Sequence, residues 1–124
     1  MKCMSEFHDG YFMGIDLRQE GVAQLFLRDL DGHDFCLFLR DLKRLICDEF
    51  REGNIILDIQ VFCGEEPPID TLAWLYSVDS TDELPTYLLE QIGKIASGAM
   101  TLVLLSASYG GVLAAVCETC ELDR

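Results

Sequence analysis

Hydrophobic and polar residues alternate along much of this chain, and the breaks in that alternation mark its elements. Residues 11–18 put Tyr11, Met13, Ile15 and Leu17 on one face and Phe12, Gly14, Asp16 and Arg18 on the other. That period of two predicts a half-buried strand. A turn at 19–21 and a returning run at 22–30 complete an N-terminal hairpin. Asp31-Gly32-His33-Asp34 ends it. From Phe35 the spacing becomes helical, with Phe35, Phe38, Leu39, Leu42, Leu45, Ile46 and Phe50 on one face. Asp34 suits the N-cap of that helix and Gly53 its stop. The hexamer LFLRDL at 25–30 recurs unchanged at 37–42. One sequence is thus assigned to a strand and to a helix, and a short strand at 35–40 stays open as the alternative.

Alternation returns at 54–63, with Ile55, Leu57, Ile59, Val61 and Cys63 inward and Asp58 and Gln60 outward. Residues 64–68 include Pro67 and Pro68, which excludes a sheet interior and predicts a loop. The aromatic and aliphatic run 72–78 predicts another strand. Ser80 and Glu83 have capping-box spacing, and Pro85 suits only a first turn. A second helix is therefore expected at about 82–97, with Leu84, Leu88, Ile92, Ile95 and Ala96 as its apolar stripe and Gly98 as its end.

Residues 95–117 carry no charge, long enough for a membrane helix at about 20 residues. Ser97, Gly98, Thr101, Ser106, Ser108, Gly110 and Gly111 dilute the run, and Glu118, Glu121 and Asp123 follow it. A span is usually flanked by several Lys or Arg. Two apolar runs, 101–107 and 112–117, joined at Tyr109-Gly110-Gly111, instead read as a β-hairpin. Their unbroken apolarity implies cover on both faces.

The expected fold is α+β: one two-layer domain over 1–124, in the order ββ-α-ββ-α-ββ. Its mostly antiparallel sheet has about six strands, with two helices packed on one face. Two helices leave the other face of that sheet bare, so a homodimer is expected to cover it.

Charge narrows the partners. The net charge is -13, which repels a phosphate backbone and argues against nucleic acid. Residues 52–93 contain no Lys or Arg, against Glu52, Asp58, Glu65, Glu66, Asp70, Asp79, Asp82, Glu83 and Glu90. Such a stretch keeps a protein soluble, or steers a basic protein partner. Residues 1–6 lead into no apolar segment, so a cytoplasmic location with six reduced cysteines is expected.

Candidate chemistry is sparse. Pairing the N-terminal hairpin about residues 19–21 makes partner numbers sum to 39–40 and brings His8 and Asp9 beside Asp31, with His33 and Asp34 adjacent. Two imidazoles and three carboxylates form a donor set for a divalent transition metal; turn formation and capping account for the same residues without one. Cys117-Glu118-Thr119-Cys120 has C-x-x-C spacing, but ends a strand and has no second pair to complete a zinc site. Cys36 and Cys47 would share a flank of the first predicted helix with Arg40, Lys43, Arg44 and Arg51. No nucleophile elbow, P-loop or dinucleotide fingerprint is present, so no catalytic or cofactor-binding residue is named. The leading expectation is a small acidic, non-enzymatic, homodimeric protein-binding domain of the adaptor, inhibitor or immunity type, bacterial in character. The alternative is a metal-dependent enzyme using His8, Asp9, Asp31, His33 and Asp34. A membrane-anchored protein follows only if 95–117 is one helix.

Overall fold

The computed structural model describes residues 1–79 and 83–123. Among them are nine strands and two α-helices: β1 (Lys2–Cys3), β2 (Tyr11–Asp16), β3 (Val22–Arg28), β4 (Asp34–Arg40), β5 (Arg44–Asp48), β6 (Asn54–Phe62), α1 (Ile69–Leu75), α2 (Thr86–Ser97), β7 (Thr101–Tyr109), β8 (Val112–Cys117) and β9 (Thr119–Asp123). A 3-10 turn, Ser5–Phe7, follows β1. The fold is α+β with an antiparallel sheet, as the pattern predicts, in a different element order. All strands belong to one sheet, ordered β5-β8-β7-β6-β2-β3-β4-β9, with β1 added on β6.

That sheet closes on itself. Only Glu118 separates β8 from β9, and residues 41–43 separate β4 from β5. β9 pairs with β4 while β8 pairs with β5. The two bent segments therefore form one long antiparallel ladder, continued through its kink by Glu118 N–H donating to Arg40 O and Lys43 N–H to Val116 O. β4 then leads through β3, β2 and β6 to β7, and β7 pairs back onto β8. Inside lies a core built from Phe7, Phe12, Leu25, Leu27, Leu37, Leu39, Ile59, Val103, Leu105 and Leu113, among others. Outside, α1 and α2 cover one side with a second core that includes Leu72, Leu75, Leu88, Ile95, Leu102, Ala114 and Val116.

The 95–117 segment is the end of α2 followed by the β7–β8 hairpin, turning at Gly110, whose φ is 84°. Its two-sided apolarity has a direct cause: Val103 and Leu105 face the inner core, and Leu102 packs under the helices. The second face is thus covered by the chain's own curvature, without a second copy. No helix among the described residues is long and apolar enough to cross a membrane.

Several expectations are corrected. Residues 35–50 are not a helix but β4 and β5. Leu37 and Leu39 are buried and Phe35 packs on the same core, so the operative period is two. Phe38 points outward under the Arg40 guanidinium, 4.8 Å from its ring. Asp41 (φ 53°) and Glu49 (φ 57°) break the chain where a helix would continue. Asp34 is therefore no helix cap, Cys36 and Cys47 share no helix flank, and Arg40, Lys43, Arg44 and Arg51 line no common helix. Residues 69–75 are the helix α1 rather than part of a strand at 72–78: Leu72 and Leu75, one turn apart, are both buried. The second helix begins at Thr86, with Pro85 as N-cap, and ends at Gly98 in the left-handed region (φ 88°), as expected of a glycine C-cap. Its Ala96 is exposed. Ser80, whose capping-box role was expected, lies outside the described residues.

The hairpin register is the predicted one. Tyr11 pairs with Arg28 and Phe12 with Leu27, then Ile15 with Leu25 after a shift between Phe12 and Gly14. That bulge at Met13 changes which side chains face in. Phe12 and Ile15 join the core, whereas Met13 is 48% exposed and Tyr11 39%. In β6, register shifts around Ile56 have the same effect, leaving Leu57 exposed.

Candidate functional site

The five residues expected to share a metal are distributed over three separate arrangements. His8 follows the 3-10 turn, and its Nδ1 donates to Leu57 O at 2.7 Å while Nε2 lies 3.5 Å from Asp9 Oδ2. Asp9 holds a positive φ of 62°, a conformation its short polar side chain tolerates. Asp34, at the start of β4, forms an ion pair with Arg28 directly across the ladder, Nε to Oδ1 at 2.7 Å. That hydrogen bond is the main reason its carboxyl is held below the usual carboxylate range.

Asp31 and His33 do meet, around a residue that the sequence reading did not single out. Asp29 Oδ1 accepts the backbone N–H groups of Asp31 (3.0 Å) and His33 (2.9 Å), and Oδ2 lies 3.3 Å from His33 Nδ1. Ligand atoms of Asp29, Asp31 and His33 fall within 4.8 Å of one another. Asp29 is the centre of an Asx-type turn joining β3 to β4. The N–H of His33, first among several bonds, lowers the Asp29 carboxyl's affinity for protons. Asp31 and His33 are exposed. The turn engages Asp29 through the backbone it organises, while the Asp31 and His33 side chains stay exposed beside it.

The C-x-x-C pair lies where β8 bends into β9. Cys117 is fully buried, and burial first, then the neighbouring Cys120 and Cys63, pushes its thiol up to about 12. Burial likewise pushes the Cys120 thiol to about 11, against the pull of nearby Lys2. A nucleophilic or metal-ligating cysteine needs the opposite, a thiolate favoured near neutral pH. This pair packs as small apolar side chains. Among the described residues all six cysteines are unpaired, with Cys3 and Cys63 exposed.

Of the cations expected to cluster, the three arginines are engaged in separate local contacts. Arg40 reaches Glu121 at 3.7 Å, Arg44 Nε donates to Leu75 O at 2.8 Å beneath the Tyr76 ring, and Arg51 stacks on Tyr109. The acids are less compensated. Glu66, Asp70, Glu83 and Glu90 are exposed on and beside the helical layer, close in sequence to exposed Ile69, Tyr87 and Leu89. None of these four belongs to an ion pair among the described residues.

A further recess was not foreseen from the sequence. A cleft of about 480 Å³ runs between residues 2–6 and the β9 residues Cys120, Glu121 and Leu122. Only the pairing of β9 with β4, which a helix at 35–50 precludes, creates its second wall. Compared with known protein families, curated proteins and solved structures, the chain matches none.

Proposed function

We propose that this chain is a non-enzymatic domain that binds a basic protein, in the manner of a small adaptor, inhibitor or immunity protein. The observation that supports this reading is the acidic surface: a net charge of -13, with Glu66, Asp70, Glu83 and Glu90 exposed and outside any ion pair among the described residues, close in sequence to exposed apolar side chains. Apolar residues within a charged surround are the usual composition of a protein interface, and unpaired like charges raise the rate of encounter with a partner of opposite sign. Asp29 of the histidine–carboxylate group is engaged by its own turn and burial raises the Cys117 and Cys120 thiols, which gives less support to an enzymatic reading than the charged surface gives to binding.

The test is capture of partners from a lysate at low and moderate salt, followed by rebinding of each purified candidate. A basic protein that rebinds with one-to-one stoichiometry, and more weakly as salt rises, is the expected result. Absence of any basic binder at low salt would sink the reading.

A further inference from the structure

From the cleft beside β9 we infer that this domain takes up an extended, basic segment of its partner as an added β-strand; the inference rests on the basic-partner reading above. β9 pairs with β4, and no second strand is hydrogen-bonded to it among the described residues. β1 likewise pairs with β6 alone. Both strands border the same 480 Å³ cleft. Side chains of consecutive strand residues point to opposite faces. Cys120, Glu121 and Leu122 can therefore line one cleft together only if the strand's edge, with its outward backbone groups, faces it. The opposite end of the sheet differs: β5 packs against α1, with Arg44 Nε bonded to Leu75 O. One edge is covered by a helix, one of the ways in which edges are protected, and the other has no hydrogen-bonded strand among the described residues.

The side chains of β9 select the occupant. Cys120 and Leu122 pack on the inner core, whereas Thr119, Glu121 and Asp123 are exposed. A second copy pairing antiparallel through β9 would set acids opposite acids, which is destabilising. A strand with Lys or Arg at alternate positions would set cations opposite Asp123 and opposite Glu121, whose carboxylate already meets Arg40 at 3.7 Å, and offer apolar residues to the Cys120 and Leu122 side. Lys2, on the far wall, is the cation that such a strand must pass; Glu6 and Glu121 are the acids lining the cleft. Added strands of this kind draw affinity from main-chain bonds and specificity from alternate side chains.

The probes are three capped synthetic peptides: alternating lysine and valine, alternating glutamate and valine, and lysine alternating with proline. Binding is followed by titration and by amide hydrogen exchange. The lysine–valine peptide is expected to bind and to slow exchange at 119–123 and 2–3. The lysine–proline peptide keeps its lysine N–H groups on one edge but has no donors on the other, so it cannot bond to both β9 and β1 and is expected to bind more weakly. A Glu121→Lys, Asp123→Lys double variant, altered only at exposed positions, should bind the lysine–valine peptide roughly tenfold more weakly and gain affinity for the glutamate–valine peptide. Equal binding of the proline peptide, or protection confined to the helical face, overturns the cleft while leaving the basic-partner reading standing. No binding of the lysine–valine peptide also overturns the cleft, and protein capture then decides the broader reading.

Discussion

At the scale of single residues, Asn54 holds together more of this fold than its polarity suggests. It is 1% exposed, and every side-chain group has a partner. Oδ1 accepts from Arg51 N–H (2.8 Å) and Gly111 N–H (2.7 Å), while Nδ2 donates to Phe12 O and Arg51 O. One side chain thus ties the β7–β8 turn, the loop before β6 and the strand β2. Replacing it with Ala leaves several buried backbone groups unpaired, each costing about 1–3 kcal/mol. Asn54→Ala should lower stability by roughly 3 kcal/mol, read from the urea midpoint at unchanged slope. Gly110 is fixed by the same contact, since a Cβ there would sit 2.3 Å from Asn54 Oδ1. The buried thiols give a second residue-scale expectation. The Cys117 thiol titrates near 12 in the fold, against 9.0 for an ordinary cysteine. The unfolded chain therefore releases this proton first as pH rises. The stability linked to the protonated thiol is complete below about pH 9 and is lost as pH climbs toward 12. Cys117→Ala should flatten that alkaline decline, measured by thermal unfolding from neutral to strongly alkaline pH. At neutral pH, Cys3 and Cys63 should alkylate while Cys117 and Cys120 do not. Zinc or manganese should bind with no one-to-one stoichiometry; saturable uptake abolished by His8→Ala with His33→Ala would reinstate the histidine–carboxylate site.

At the scale of elements, the duplicated hexamer shows where the sequence was legible and where it misled. Residues 25–28 of the first copy alternate and lie in β3. The copy at 37–42 sits among Phe35, Leu45, Ile46 and Phe50, whose spacing mimics a helical stripe. Because β4 and β5 are two halves of one bent ladder, their apolar residues fall in two period-two sets offset by the kink, and the sum resembles a period of 3.6. The identity of the two copies was the signal that pointed to one shared conformation. The reverse error affected α1, where aromatic and aliphatic content suggested a strand but the i, i+3 burial of Leu72 and Leu75 made a helix. Hairpin register, by contrast, followed from turn position alone, while inward faces did not: a bulge at Met13 is invisible to a count of two. Candidate site residues were legible as turn chemistry. The cleft was not, since it depends on a pairing between β4 and β9 some eighty residues apart. Leu25 and Leu37, one from each copy, are direct cross-strand partners and both fully buried. Each Leu→Ala change should cost about 2–5 kcal/mol. The double variant should cost less than the sum, because both deletions open one shared cavity; additive losses would argue against a common β3–β4 core.

At the scale of the whole molecule, closure decides how the protein holds its most apolar segment. β7 and β8 need cover on both faces, and two sources were available: a second copy of the chain, or the rest of the same sheet. Curling supplies the second. β2, β3, β4 and β9 fold over the inner face, the helices cover the outer one, and Leu105 and Ala114 are both fully buried within a single chain. A fold whose core required a partner would unfold more readily on dilution, because association contributes to stability in proportion to the logarithm of concentration. This chain should instead show an unfolding midpoint independent of protein concentration over a hundredfold range. The acidic, exposed face of β9 adds to that expectation, since it opposes pairing between copies through the free edge. Denaturation followed by fluorescence of Trp74, which packs against the helical-side core, reads the midpoint directly at low concentration. A midpoint that rises with concentration would show that assembly contributes to the folded state. It would then place a second copy, rather than a basic segment of another protein, as the first candidate for the free edge of β9.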